Sequence, residues 1–329
     1  MGERDIGRRD FIAKGAFAAS AVVGGVAAGV AGCQQTEEQA AKPTKPLKVR
    51  YGLNLLLYTA TFSKDQVDLI KKVADMGYDG VEVPFNDLSV LDPAATRKAR
   101  EAAGVGLTAC CVMMPGTNLC STDPAERKAG VERIKKMVDI TAEMGGEAVA
   151  GPIYSPVGLL TKKPRTDEEW KWCREGLAAA AEHAEKAKIN LAIEPLNRFE
   201  TYVFNTIADA TKMVKEINNP RLKVQVDTFH CNIEEKDTAA AIRACGSWVG
   251  HFHASENDRG VPGTGQVCWK EAFAALKDIG YDRWVTIESF ALGIVDLCAA
   301  ACIWRPIYES ADGLARDGLA FLKKMAAEA

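Results

Sequence analysis

The feature that most constrains the fold is an alternation, from Leu47 onward, of short apolar runs with longer amphipathic patterns. Several of the amphipathic patterns end at glycine, as helices often do, at Gly77, Gly145 and Gly280. Eight strand–helix units in about 280 residues predict a single α/β domain, a (β/α)₈ TIM barrel over residues 47–329. The eight apolar runs lie near Val49, Val81, Leu107, Val149, Ile193, Val224, Val249 and Val285.

An open, doubly wound sheet is the alternative arrangement of the same elements. Such a sheet usually carries a glycine-rich phosphate loop directly after its first strand. The segment after the first predicted strand, within "YGLNLLLYTA" (51–60), contains no such loop. The sequence therefore favours the closed barrel.

The first 46 residues have the character of a targeting segment. Paired Arg8 and Arg9 precede a weakly apolar run from Ala16 to Ala31, and the pair resembles a twin-arginine export signal. "VAGC", which ends at Cys33, resembles a bacterial lipobox, in which the cysteine is lipidated; a plain signal or an uncleaved anchor is the alternative. Residues 34–46 are polar and contain proline, so a flexible linker is expected. These patterns predict export to the periplasmic side and a lipid anchor at Cys33, with residues 1–33 as the signal.

Charge and cysteine content exclude some classes of protein. The 41 basic and 44 acidic residues give a net charge of −3, which lacks the basic patch expected of a nucleic-acid-binding protein. The ten cysteines include no C-x-x-C pair, so most are expected to be small buried apolar residues.

Four of the late predicted strands each end in a side chain that can bind a metal ion. Because barrel strands all end at one mouth, these groups are expected to converge there. Converging carboxylates repel one another unless a cation lies among them. Three carboxylates and one imidazole suit a hard or borderline divalent ion such as Mn²⁺, Mg²⁺ or Co²⁺. Any one of them alone could instead cap a loop. The four residues are Glu194, Asp227, His253 and Glu288.

The chain has four histidines, and three of them fall near this predicted site. His251 and His253 alternate on one strand and therefore face the same side, with His253 nearer the mouth. We expect His251 to be a structural residue of the barrel core. His230, three residues after Asp227, is expected in the loop that follows the sixth strand.

Several segments resemble the ketose 3-epimerases, the family of D-tagatose and D-allulose (psicose) 3-epimerases within the xylose isomerase-like barrels. The segments are "IEPLNRFETYVFNT", "VDTFHCNIEE", "HFHASENDRGVPGTGQVCW" and "IESF", with "YDGVEVPF" and "GPIYSPVG" at the second and fourth strands. The resemblance implies that the four strand-end residues bind one metal ion and that Glu194 and Glu288 are the catalytic acid–base pair. It also implies a set of sugar-binding residues: Glu200, His230, Arg259, Phe290 and Tyr154.

The activity implied by this resemblance is inversion of C3 of a ketose or keto-sugar derivative, with one divalent ion, Mn²⁺ above Co²⁺ or Mg²⁺. A proton beside a ketone is weakly acidic, and two glutamates on opposite faces can remove and return it. An aldose–ketose isomerase of the same barrel class is an alternative, although Asp227 is followed by "TFH" without the second aspartate expected of a two-metal site. A lipid-anchored sugar-binding protein without catalysis is a further alternative, and self-association into a homo-oligomer remains open.

Overall fold

The computed structural model describes residues 47–329, in which eight parallel strands close into a barrel. Each strand pairs with the next in the chain, and β8 returns to pair with β1. The predicted barrel is therefore confirmed, whereas the predicted signal (1–33) and linker (34–46) lie outside the described residues. The strands are β1 Arg50–Asn54, β2 Gly80–Phe85, β3 Gly106–Cys111, β4 Ala148–Gly151, β5 Asn190–Ile193, β6 Leu222–Asp227, β7 Val249–Ala254 and β8 Trp284–Ile287.

Ten α-helices lie in the described part of the chain, and most of them cover the outside of the barrel. They are α1 Asp68–Asp75, α2 Pro93–Ala103, α3 Pro124–Glu143, α4 Asp167–Ala187, α5 Ile207–Ile217, α6 Thr228–Glu234, α7 Thr238–Cys245, α8 Trp269–Asp278, α9 Val295–Ala300 and α10 Ala311–Glu328. Apolar side chains of the strands and of the inner helix faces form one continuous core between the two layers. This two-layer packing holds the strand ends in fixed positions.

Local capping signals explain where the helices begin and end. Thr166 accepts the backbone N–H of Glu169, and the Glu169 carboxylate returns a bond to the Thr166 N–H, which forms a capping box at the start of α4. Gly77, Gly145 and Gly280 have φ angles of 90°, 73° and 67°, in the left-handed region that glycine enters without steric cost. The predicted helix ends at these glycines are therefore confirmed.

The amino-terminal end of the barrel is filled by one large side chain. The indole of Trp284 lies so close to Gly80 and Gly106 that a Cβ at either glycine would come within 2.4 Å or 2.5 Å of the ring. The Arg50 guanidinium covers the indole, 4.1 Å from its centre, and forms an ion pair with Glu147. The open mouth is consequently at the opposite, carboxyl end of the strands.

The cysteines of residues 47–329 agree with the sequence analysis. All nine cysteines of this range are free thiols, and six of them are buried. Within the same range, the helices are too short or too polar to cross a bilayer. Cys33, the predicted lipidation site, lies outside it.

Candidate active site

The four strand-end residues meet at the carboxyl end of the barrel. Glu194 directly follows β5, Asp227 ends β6, His253 lies in β7, and Glu288 directly follows β8. One nitrogen or oxygen atom of each residue lies within 4.8 Å of the others, and all four side chains are buried. The convergence expected from the barrel topology is therefore present in the structure.

Asp227 divides its two carboxylate oxygens between a helix and the site. Oδ1 accepts the backbone N–H groups of Phe229 at 2.7 Å and His230 at 3.4 Å, so Asp227 is the N-cap of α6. Oδ2 faces the site and lies 3.0 Å from Arg259 Nη1. Because the cap starts a helix at once, the prediction that His230 lies in a loop is wrong; it lies in the first turn of α6.

Arg259 is the main buried cation of the site. Its Nη1 donates to Glu288 Oε2 at 2.7 Å as well as to Asp227 Oδ2. Its guanidinium carbon lies 3.8 Å from the ring centre of Phe229 and 5.2 Å from that of Phe290. Burial would lower the pKa of Arg259, but the neighbouring carboxylates of Asp227 and Glu288 raise it. Arg259 is therefore a fixed positive charge held between two carboxylates and two aromatic rings.

Arg259 forms ion pairs with the carboxylates of Asp227 and Glu288 but not with that of Glu194. Burial, followed by the negative charges of Asp227 and Glu288, raises the pKa of Glu194 well above the usual range. By contrast, burial would raise the pKa of Asp227, but Arg259 lowers it. A divalent cation among these side chains would relieve the repulsion at Glu194. The donor set of oxygens and one imidazole nitrogen thus fits such an ion.

The two ring nitrogens of His253 face opposite ways along the barrel axis, one toward the site and one toward the barrel interior. Nδ1 faces the site, 3.4 Å from Glu288 Oε1 and 3.6 Å from Asp227 Oδ2. Nε2 points down the barrel to Glu82 Oε1 at 2.6 Å. Burial would lower the pKa of His253, but the carboxylates of Glu82 and Glu288 raise it well above the usual range.

Glu82, in the middle of β2, was not selected by the sequence analysis. Burial would raise its pKa, but His253 and His251 lower it, so the carboxyl group is ionised although it is fully buried. The available signal was a single charged residue within the apolar run "GVEVPF". His251 is fully buried, as predicted, but its Nε2 also lies 2.7 Å from Glu82 Oε2.

Two of the predicted sugar-binding residues, His230 and Glu200, are buried in the same region as Glu194. His230 Nε2 lies 3.8 Å from Glu194 Oε1. Burial lowers the pKa of His230 to about 3, although the negative charge of Asp227 opposes this shift. Its imidazole is therefore neutral at physiological pH. Glu200 accepts a hydrogen bond from Asn197 Nδ2 at 2.8 Å, and burial raises its pKa.

The two predicted aromatic residues take different positions. Phe290 is half-buried beside Arg259. Tyr154 is fully buried, packs edge-to-face against Phe204 at 4.6 Å, and donates its hydroxyl to the backbone oxygen of Glu194 at 2.9 Å. Tyr154 therefore supports the backbone that carries Glu194.

Three further residues at the site were missed by the sequence analysis. Asn197 donates its backbone N–H to His230 Nδ1 at 3.1 Å, and Phe229 stacks on Arg259. Cys110, at the end of β3, places Sγ 3.8 Å from Glu288 Oε1. None of these contacts follows from spacing, because each depends on how neighbouring strand ends meet in space.

Comparison with known proteins gives a consistent picture. The xylose isomerase-like TIM barrel family model matches residues 70–325. A probable ketose 3-epimerase of Synechocystis sp. is 31% identical over 84% of this chain and 96% of its own, and a D-psicose 3-epimerase of Agrobacterium fabrum is 36% identical over 77% and 90%. The crystal structure of a D-allulose 3-epimerase from Methylomonas sp. in complex with D-allulose is 32% identical, covers 86% of this chain and 99% of its own, and has a TM-score of 0.81. The chain therefore belongs to the ketose 3-epimerase family of xylose isomerase-like TIM barrels.

Proposed function

We propose that this protein is a ketose 3-epimerase. The observation that carries the proposal is the convergence of Glu194 and Glu288 with Asp227 and His253 in the mouth of the barrel, in a chain of this family. The substrate class that fits is a ketose or a keto-sugar derivative, as expected from the named relatives.

The metal ion that we propose is one divalent cation per chain, with Mn²⁺ preferred over Co²⁺ or Mg²⁺. Glu194, Asp227, His253 and Glu288 would hold it. When bound, such an ion stabilises negative charge on the oxygens of a deprotonated ketose.

The two glutamates supply the proton transfers in this proposal. One removes the proton from C3, and the other returns a proton to the opposite face, which inverts the carbon. Arg259 and the neutral His230 would orient the sugar's oxygens, while Glu200 would accept a hydrogen bond from a hydroxyl group.

Epimerisation in D₂O tests the reaction. We expect deuterium at C3 of both substrate and product, whereas a hydride-shift isomerase would move hydrogen between C1 and C2 with little solvent label. Glu194→Gln and Glu288→Gln should each lower the rate by about 10²–10⁴-fold, and each variant should retain proton exchange on one face only.

The exposed Glu309 offers a matched control, and Glu309→Gln should epimerise at the wild-type rate. If both active-site variants retain near wild-type rates with Mn²⁺ bound, the two-glutamate mechanism is wrong. Sugar binding without turnover in the wild type would instead favour the binding-protein alternative.

We also propose that the protein is exported and anchored by lipid at Cys33. The support is the Arg8–Arg9 pair and the "VAGC" segment of the sequence. Cys33→Ser should release the protein from the membrane fraction, and Arg8→Lys with Arg9→Lys should retain the precursor in the cytoplasm. Full-length wild-type protein that fractionates with the cytoplasm would contradict export.

Self-association through the loops around the mouth, with the opening itself left free, is our proposal for the oligomeric state. Within residues 47–329, every large apolar side chain that is exposed lies in a segment between a strand and the long outer helix that follows it. Exposed apolar side chains concentrated on one face are typical of an interface. The molar mass in solution, measured by light scattering, tests the proposal, and a monomer would contradict it. The exposed residues are Val90, Met114, Val157, Leu159, Leu160, Phe199, Ile233, Val295 and Trp304.

A further inference from the structure

Glu82 is a fully buried carboxylate one layer below the proposed metal ligands, and the epimerisation chemistry does not use it. Four side chains surround it. Oε1 lies 2.6 Å from His253 Nε2 and accepts Asn54 Nδ2 at 3.1 Å. Oε2 lies 2.7 Å from His251 Nε2 and accepts Thr108 Oγ1 at 2.8 Å. Burying an ionised carboxylate is costly unless its partners are fixed, so this position needs a specific explanation.

The contacts of His253 supply that explanation. A carboxylate only accepts hydrogen bonds, so the short contact with Glu82 requires a proton on Nε2. In the neutral ring, Nδ1 then carries the lone pair, and Nδ1 is the nitrogen that faces Glu288 and Asp227. In the absence of a cation, Gln225 Nε2, 2.9 Å from Nδ1, can donate to the lone pair that a bound ion would take. The ring is therefore held from both sides in one orientation and one tautomer.

The Glu82 carboxylate is itself held in position by hydrogen bonds from its neighbours. Thr108 donates to the oxygen that His253 does not use, and Asn54 donates to the other, so hydrogen bonds at both oxygens oppose rotation of the carboxylate. His251 also lies against the Thr108 side of the carboxylate, 2.7 Å from Oε2. Asn54 joins this layer to the site, because its Nδ2 also lies 3.3 Å from Glu288 Oε1.

We propose that Glu82 is a positioning residue for metal binding: it fixes the Nε2–H tautomer and the ring orientation of His253, so that Nδ1 is presented to the cation. The inference rests on the proposed function only in assuming that a cation binds at Nδ1. Carboxylate partners of metal-binding histidines act in this way in other proteins, and their loss typically weakens metal affinity by about 10–100-fold.

A second metal site formed by Glu82, His251 and His253 is the competing explanation, since these atoms also lie close together. The 2.6 Å contact between His253 Nε2 and Glu82 Oε1 is a direct hydrogen bond between imidazole and carboxylate. His251 Nε2, 2.7 Å from Glu82 Oε2, makes a close charge contact without hydrogen-bond geometry. An ion there would compete for the Nε2 that now contacts Glu82. Metal stoichiometry separates the two explanations.

Two measurements on the full barrel test the proposal. In wild-type protein labelled with ¹⁵N-histidine and loaded with Mg²⁺, a diamagnetic ion, long-range ¹H–¹⁵N spectra should show His253 as the Nε2–H tautomer. Calorimetric titration of the metal-free protein with Mn²⁺ should give one site. Glu82→Gln should bind Mn²⁺ about 10–100-fold more weakly and show a mixture of His253 tautomers. Thr108→Val is the matched control, because it removes a bond to the same carboxylate without touching His253; its Mn²⁺ affinity should stay close to wild type.

The proposal is overturned by an Nδ1–H tautomer in the wild type, or by wild-type Mn²⁺ affinity in a folded Glu82→Gln protein. Two Mn²⁺ ions per chain, with one lost in Glu82→Gln, would favour the second metal site and overturn it as well. The wild-type spectrum decides the question even if Glu82→Gln does not fold. No sugar enters these measurements, so a failure of epimerisation does not affect them, whereas wild-type protein that binds no Mn²⁺ would overturn the metal part of both proposals.

Discussion

At the scale of single residues, Asp227 shows how one side chain serves both the fold and the site. Its Oδ1 caps α6, and its Oδ2 lies among the proposed metal ligands. Asparagine caps helices about as well as aspartate but lacks the negative charge that a cation needs. Substitutions at this position can therefore separate the two tasks.

We expect Asp227→Asn to lose most of its Mn²⁺ after loading and dialysis, because one of the three anionic ligands becomes a neutral amide. Asp227→Ala should lose Mn²⁺ similarly and in addition be less stable than Asp227→Asn by about 1 kcal/mol, the usual value of an N-cap. Metal analysis and urea unfolding of the metal-free proteins provide the two measurements. Equal unfolding free energies for the two variants would argue against the cap, and full metal content in both would argue against the ligand role.

Residues that could be predicted from the sequence are those at the ends of strands. The barrel topology predicts the site, because each strand–helix unit brings the end of the next strand to the same mouth. The residues found in this way are Glu194, Asp227, His253 and Glu288. Glu82 could not be found in this way, because it lies in the middle of a strand. The neighbours of a mid-strand residue can be identified only when the register of the sheet is known. Arg259 was expected to contact sugar oxygens; in the structure its ion-pair partners are Asp227 and Glu288, at the ends of two other strands.

At the scale of elements, the segment between β7 and α8 is organised by one buried carboxylate. Glu256 accepts the backbone N–H groups of Gly263 at 2.8 Å and Val267 at 3.1 Å, and the indole N–H of Trp269 at 3.0 Å. The turn at Pro262–Gly265 is thereby held against α10, where Gly263 lies close to Phe321. Arg259, which belongs to the same segment, takes its position from this arrangement.

Glu256→Gln should loosen this segment, because an amide nitrogen would face N–H donors that the carboxylate now satisfies. Unfolding free energy should fall by about 1–3 kcal/mol for the unsatisfied buried donors. KM for the ketose should rise more than kcat falls, since Arg259 would be held less firmly. Arg305→Gln, which removes a largely exposed ion pair with Asp258 in the same region, is the control and should change stability by less than about 1 kcal/mol. A Glu256→Gln protein with wild-type stability would contradict this account.

At the scale of the whole molecule, the barrel was predictable because its signal is repeated eight times along the chain. Each strand is bounded by helix-ending glycines or capping residues, so local and global preferences agree. The polar layer beneath the mouth, formed by Glu82, His251 and Thr108, was not predictable. The alternation of side chains along a strand assigns residues to the inside of the barrel but does not say which of them are in contact. Identity of the sugar belongs to the same class of question, since it depends on loops after the strands rather than on the strands themselves.

The Trp284 plug has a consequence for turnover. Because Trp284 fills the amino-terminal end of the barrel, a sugar can approach the proposed metal ligands only from the carboxyl end of the strands. Substrate and product must then use the same entrance and the same binding site, so the two cannot be bound at once. Each epimer should accordingly exclude its partner competitively, and the direction of net conversion should follow the concentrations of the two sugars outside.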